Sequence, residues 1–222
     1  MKRFVSTLFA TAIIFGAFAT ASHASTLGSA VQPPGSTLAA CPPTGLIAQV
    51  TSDPSTPYSP PGPGTITQWQ TNLSDAVSGS PLTFVVLKPV GANFNVVGTD
   101  SRTVPAGAGG GGPYTFLLAS PISVSGGETI GLYTGGAPVV CYFHGGGTPL
   151  TNTLAGLVAS SPPAAGQTLS RGTADSPPGY TMNLAANFVA APPATPKKKC
   201  KKPKKKRSAE TAKKKCKKKK KG

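Results

Sequence analysis

Acidic residues, histidine and tryptophan are scarce in this chain of 222 residues, which has six Asp and Glu, two His and one Trp. Only one histidine, His144, lies beyond the first 24 residues, and no Cys-X-X-Cys pair occurs, so we expect no metal site. His144 opens a His-Gly-Gly-Gly run like the oxyanion-hole motif of some esterases, but the chain has no Gly-X-Ser-X-Gly nucleophile motif. We therefore predict a protein without catalytic residues, without a cofactor and without enzymatic activity.

Long apolar runs are absent after the N-terminus. There, a Lys-Arg pair precedes a mainly apolar stretch at residues 5–19, and Ser22 and Ala24 place small residues at the −3 and −1 positions of a cleavage site. The stretch is shorter than the roughly 20 residues that span a membrane. A signal peptide at residues 1–24 is therefore favoured over an uncleaved anchor, and we expect a secreted protein that is extracellular or associated with the cell wall.

The remaining chain lacks helical periodicity and consists of short apolar runs separated by turn residues. Glycine and proline are the main turn residues, and the whole chain has 27 Gly and 24 Pro. The strongest run, residues 82–87, is apolar on both faces of a strand and predicts a central position in a sheet. Residues 181–189 alternate between apolar and polar side chains, which is typical of an antiparallel strand with one buried face. We predict an all-β fold, an antiparallel, jelly-roll-like β-sandwich at residues 41–190, preceded by a linker at residues 25–40.

Four cysteines follow the predicted signal peptide. An exported protein meets an oxidising environment, in which four Cys can pair in three ways. We favour one disulfide between Cys41 and Cys141, which would tie the start of the domain to a later strand, and one between Cys200 and Cys216. Intermolecular bonds are the alternative for the second pair, because the lysines around it repel one another.

Nearly all of the net charge lies at the C-terminus. Residues 197–222 contain 16 Lys, one Arg and one Glu, whereas residues 25–196 contain three basic and five acidic residues. We predict that residues 191–222 form a disordered or partly helical basic tail, and that its partners are anionic envelope polymers or lipid head groups. The predicted polyanion-binding residues are Lys197, Lys198, Lys199, Lys201, Lys202, Lys204, Lys205, Lys206, Arg207, Lys213, Lys214, Lys215, Lys217, Lys218, Lys219, Lys220 and Lys221.

Aromatic side chains offer a second hypothesis, a platform on which sugars stack. The candidates are Tyr58, Trp69, Tyr114, Tyr133 and Tyr142. Aromatic residues at strand positions more often pack in a core. The leading hypothesis is therefore an exported, non-enzymatic β-sandwich protein that its polycationic tail holds at the anionic cell envelope. The alternative is an extracellular carbohydrate-binding module that uses aromatics on a sheet face.

Three motifs carry a resemblance to a known protein family. They are GTITQW at residues 64–69, Lys-Pro at residues 88–89, and ISVSGGETIGL at residues 122–132, in which Glu128 takes the place of a more usual Asp. With these motifs, residues 41–190 resemble an uncharacterised family of secreted β-sandwich domains of high-GC Gram-positive bacteria, in which Cys- and Lys-rich tails also occur. The resemblance implies the fold and secretion, and it implies no activity and no site residues.

Overall fold

The computed structural model describes residues 24–41, 45–74, 76–108, 112–135 and 139–193. In these ranges the chain forms thirteen β-strands and no α-helix, and hence contains no helix long and apolar enough to cross a membrane. The all-β prediction is confirmed. The strands are β1 (Ala24–Ser29), β2 (Ser36–Ala40), β3 (Gly45–Thr51), β4 (Gly64–Asn72), β5 (Pro81–Val90), β6 (Asn93–Thr103), β7 (Pro113–Val124), β8 (Thr129–Tyr133), β9 (Val140–Gly145), β10 (Thr153–Val158), β11 (Thr168–Asp175), β12 (Tyr180–Met182) and β13 (Leu184–Ala190).

Six of these strands close into a barrel in the order β10-β11-β6-β5-β8-β3, and each neighbouring pair is antiparallel. The other strands form two antiparallel sheets, in the orders β1-β13-β4-β7 and β12-β9-β2. The prediction of antiparallel pairing is confirmed. A sandwich is not confirmed, because the largest strand group is closed on itself.

Strand β5 lies between two apolar cores and pairs with β6 on one side and β8 on the other. Leu82, Phe84 and Val86 belong to the larger core, which side chains of β4, β7 and β13 complete. Val85 and Leu87 belong to the smaller core, which is built almost entirely from barrel strands. All five side chains are fully buried, and each such burial contributes roughly 1.5–3 kcal/mol. The predicted central position of this strand is confirmed.

The linker predicted at residues 25–40 is wrong, because this segment contributes β1 and β2 to the fold. Strand β1 pairs with β13 along its whole length, and β2 pairs with β9. Leu27 is the one large apolar residue of β1, and it is buried in the larger core. The strands therefore form chiefly because distant partners supply backbone hydrogen bonds, a contribution that the small residues of this segment do not reveal.

The single strand predicted at residues 181–189 is divided at Asn183. Strand β12 lies before this residue in the three-stranded sheet, and β13 lies after it in the four-stranded sheet. The buried Asn183 amide donates to the carbonyl oxygens of Asn72 and Val140, at 2.9 Å in each case, and its Oδ1 accepts from the Asn72 N–H. After the break, Leu184, Ala186 and Phe188 lie in the core as predicted, but Ala185 is buried too, so β13 does not present one clearly solvated face.

The predicted disulfide between Cys41 and Cys141 is confirmed, with the two Cα atoms 4.8 Å apart. It ties the chain just after β2 to β9, beside a hydrogen bond from the Cys41 N–H to the Val139 carbonyl oxygen. The predicted pair of Cys200 and Cys216 lies outside the described residues, as do residues 1–23 of the predicted signal peptide and residues 194–222 of the predicted tail, with all of its basic residues.

Candidate functional site

Three aromatic side chains meet on the small sheet β12-β9-β2, and all three are partly exposed: Tyr142, His144 and Tyr180. Tyr180 lies directly opposite His144 across the β12–β9 pair. Their rings are within 16° of parallel, with centroids 5.5 Å apart, and the Tyr142 ring lies 5.4 Å from the Tyr180 ring. Strand pairing thus brings Tyr180 to the two rings of β9, and Tyr142 and Tyr180 pack against the larger core.

A groove of about 420 Å³ borders the His144 and Tyr180 rings. It is lined by His144, residues 145–148, Leu150 and residues 178–180. No Asp, Glu, Lys or Arg is among the lining residues, and the Leu150 side chain is 79% exposed beside the groove. The groove therefore offers no carboxylate, ammonium or guanidinium group to a ligand, and it is partly apolar.

The glycines of the His-Gly-Gly-Gly run shape one wall of the groove. Gly145 and Gly147 have φ angles of +87° and +79°, which favour glycine. A Cβ on Gly147 would lie 2.2 Å from the Pro34 carbonyl oxygen, so the turn could not approach the β1–β2 connection with a larger residue. These constraints account for Gly145 and Gly147 without a catalytic role. The N–H groups of Gly146 and Gly147 donate no hydrogen bond to another described residue.

Buried polar side chains hold the groove walls in place. The Gln49 amide donates to the Tyr180 carbonyl oxygen at 3.1 Å, and its Oε1 accepts from the Met182 N–H at 2.7 Å, so Gln49 fixes both ends of β12. The Thr148 hydroxyl lies 2.6 Å from the Gly145 carbonyl oxygen and 2.8 Å from that of Gly179. It can donate to either one, and it joins the glycine turn to the residue before β12.

The Tyr142 hydroxyl stays protonated at neutral pH. Burial raises the pKa of Tyr142 above its ordinary value, and the neighbouring Tyr180 raises this pKa further. Neutral phenols can both donate and accept hydrogen bonds. Within the described ranges there is no cluster of His, Cys, Asp and Glu that could hold a metal ion. The chemistry that the site offers is therefore ring stacking and neutral hydrogen bonding.

Most of the aromatics predicted as a sugar platform lie elsewhere. Tyr58, Trp69 and Tyr133 are buried at 5% exposure or less, so they belong to the cores. Tyr114 is 41% exposed, but it lies on β7 in another sheet, next to Phe116. Of the five candidates, only Tyr142 lies in the ring cluster with His144 and Tyr180, and it does not line the groove.

Sequence analysis missed Tyr180 and assigned His144 only to the glycine motif. The signal that could have found them is positional. Tyr180 stands immediately before the alternating run at residues 181–189, and His144 ends the apolar run at residues 139–143. Had these runs been paired as antiparallel neighbours, the two rings would have faced each other.

Charges on the described part of the chain are largely engaged within it. Arg102 pairs with Asp100, and Arg171 pairs with Asp175. Glu128 is buried and accepts hydrogen bonds from residues 125 and 126. The domain therefore presents little unpaired charge to a ligand.

Comparison of the chain with protein-family models, with curated proteins and with solved structures finds no match. The function of the groove and of the basic segment is therefore inferred from the chemistry of their own residues.

Proposed function

We propose that this is an exported, non-enzymatic binding protein, and that its polycationic segment at residues 197–221 holds it at anionic polymers or lipid head groups of the cell envelope. The observation that carries the proposal is the separation of charge. Sixteen Lys and one Arg stand in that segment, whereas the three basic residues at 25–196 are outnumbered by five acidic ones. Electrostatic attraction to a polyanion must therefore come from the basic segment.

The magnitude of this attraction is large enough for retention. Each Lys or Arg near an anionic membrane surface contributes about 1 kcal/mol, and binding to a polyanion releases counterions, so affinity falls steeply with salt. The affinity of a near-neutral domain for a polyanion would depend little on salt.

Two further features support export. The disulfide between Cys41 and Cys141 suits an oxidising compartment, since such bonds rarely persist in the cytosol. The motifs at residues 64–69, 88–89 and 122–132 resemble secreted β-sandwich domains. We infer membership of that family and a sandwich-like relation between the sheets as part of the same proposal.

Retention on purified cell envelope tests the proposal. The full chain is compared with a chain ending at Ala194 and with a full-length variant whose tail lysines are all replaced by Gln. We expect the full chain to bind at low salt and to be released at high salt, while both altered chains bind weakly. Equal retention of all three proteins at low salt would contradict the proposal.

The second hypothesis, a carbohydrate-binding module, loses three of its five predicted aromatics to the cores. The hypothesis therefore needs other aromatic rings as its platform. His144 and Tyr180, which line one groove, are the candidates.

A further inference from the structure

We propose that the groove beside His144 and Tyr180 binds one pyranose unit of a neutral glycan. This inference is independent of the basic segment, because the groove lies within the described domain and its lining contains no Lys or Arg. It assigns a ligand class to the domain, whereas the basic segment only determines where the protein is held.

The size and composition of the groove fit such a ligand. Small-molecule sites have volumes of roughly 300–1,000 Å³ and combine apolar or aromatic walls with a few polar groups. The groove has about 420 Å³, aromatic rings on one side and the exposed Leu150 on its border. A pyranose ring has C–H faces that pack on aromatic rings and a rim of hydroxyl groups that need hydrogen-bond partners.

Hydrogen-bond partners for these hydroxyls surround the rings. The N–H groups of Gly146 and Gly147 have no partner among the described residues, and both glycines are exposed. The phenol of Tyr180 and the imidazole of His144 add groups that can donate or accept. The site thus offers an aromatic surface and several neutral polar groups in one groove.

Charge decides between sugar classes. The groove lining includes no Asp, Glu, Lys or Arg, so a charged sugar would lose its hydration without gaining an ionic partner. An uncharged glycan incurs no such cost, so it is the sugar class that the groove fits.

The groove is also preorganised, which lowers the entropic cost of binding. Gln49 fixes the backbone on both sides of Thr181, and Thr148 links the glycine turn to Gly179. The backbone that carries Tyr180 is therefore held in place before a ligand arrives.

Calorimetric titration of the full chain with cellohexaose, mannohexaose and chitohexaose tests the inference, in salt high enough to screen the basic segment. We expect saturable binding of at least one of these neutral oligosaccharides. Tyr180→Ala should weaken this binding roughly tenfold, as expected for the loss of one aromatic contact of about 1.4 kcal/mol. Tyr180→Phe, which keeps the ring, should retain most of the affinity.

Tyr114→Ala is the matched control, because Tyr114 is an exposed tyrosine of another sheet. It should leave the affinity unchanged. If Tyr180→Ala fails to fold, NMR of the unaltered chain replaces it, and the ring protons of His144 and Tyr180 should shift on titration. The inference is overturned if none of the three oligosaccharides binds, if Tyr114→Ala weakens binding as much as Tyr180→Ala, or if the shifts occur away from the groove. The Lys→Gln tail variant should still bind the sugar, which would show that the groove acts without the basic segment, whether or not that segment binds the envelope.

Discussion

The indole N–H of Trp69 donates a hydrogen bond to Oδ2 of Asp100 at 2.7 Å. The same oxygen accepts from Nε of Arg102 at 2.9 Å, and the Trp69 ring stacks on Phe116 with centroids 4.3 Å apart. The one tryptophan of the chain is thus a fully buried core residue whose polar atom is satisfied by a carboxylate.

Asp100→Ala is expected to destabilise the protein by about 1–3 kcal/mol, because it leaves the buried indole N–H without an acceptor. Asp175→Ala is the matched control, since Asp175 also pairs with an arginine, but both of those side chains are more than a third exposed. Exposed pairs contribute roughly 0–1 kcal/mol. Denaturant unfolding of both variants measures the difference, and equal losses would show that the Trp69 hydrogen bond contributes nothing of its own.

Gly28→Ala is expected to displace β1. Gly28 has a φ of +69°, and an added Cβ would lie 2.3 Å from the Leu184 carbonyl oxygen and 2.6 Å from the Tyr58 ring. Gly79→Ala provides the control, because Gly79 has a φ of +83° but no atom within 4 Å of an added Cβ. Both substitutions carry the backbone strain, of order 1 kcal/mol, and only the first adds a clash.

Unfolding by denaturant, together with amide hydrogen exchange in β1, reports the outcome for these glycine variants. Gly28→Ala should be the less stable of the two and should lose protection along β1. If the two variants were equally stable, β1 would not be a required part of the domain.

Removing the disulfide with Cys41→Ala and Cys141→Ala should lower the free energy of unfolding. The bond closes a loop with a sequence separation of 100. The chain-entropy model gives up to about 4.7 kcal/mol for such a loop. Denaturant unfolding with and without reductant measures the loss, and reductant should change the unaltered protein more than the double variant. Free thiols at both positions in the unreduced, denatured protein would contradict this prediction.

Glu128 should make stability depend on acidic pH. Burial acts to raise the pKa of its carboxyl, but hydrogen bonds from the Ser125 hydroxyl and from the backbone N–H groups of this turn outweigh burial, and the pKa lies below its ordinary value of 4.5. Since folding lowers this pKa, the carboxylate stabilises the fold fully above about pH 4.5, and this contribution is lost as the pH falls through the lower folded value.

Glu128→Gln should therefore lower the free energy of unfolding at neutral pH by about 1–3 kcal/mol, because an amide NH₂ would face one of the backbone donors. The difference in the free energy of unfolding between the variant and the unaltered protein should become smaller at acidic pH. Asp53→Asn serves as the control, because among the described residues the Asp53 side chain accepts from Ser55 alone. Denaturant unfolding at neutral and acidic pH measures this difference. A difference that did not change with pH would count against this role of Glu128.

Much of the fold could be predicted from local patterns. The run at residues 82–87, which is apolar on both faces, marked β5 as central, and the disulfide between Cys41 and Cys141 followed from their positions near the predicted domain start and in an apolar run. Residues 25–40 could not be recognised, because Leu27 is the one large residue of β1 and the rest of that strand is small and polar. Barrel closure was equally hidden, because it depends on the pairing of β10 with both β3 and β11.

The candidate site was predictable only in part. Tyr142 was among the expected aromatics, but Trp69 was expected in the same platform and lies in a core instead. Whether a ring on a strand is buried depends on which sheet covers that face, and this is not a property of the strand alone. His144 and Tyr180 meet because β9 pairs with β12 in one particular register.

By itself, the sequence determined the all-β class, the central strand and the separation of the basic segment from a near-neutral domain. These features depend on side-chain alternation and on charge, which can be read along the chain. Only the tertiary structure decided which strands are neighbours, and hence that β1 belongs to the fold and that Tyr142, His144 and Tyr180 form one cluster. Strand partners are joined by backbone hydrogen bonds between distant segments, and backbone groups are the same at nearly every residue, so the local pattern does not specify the partner.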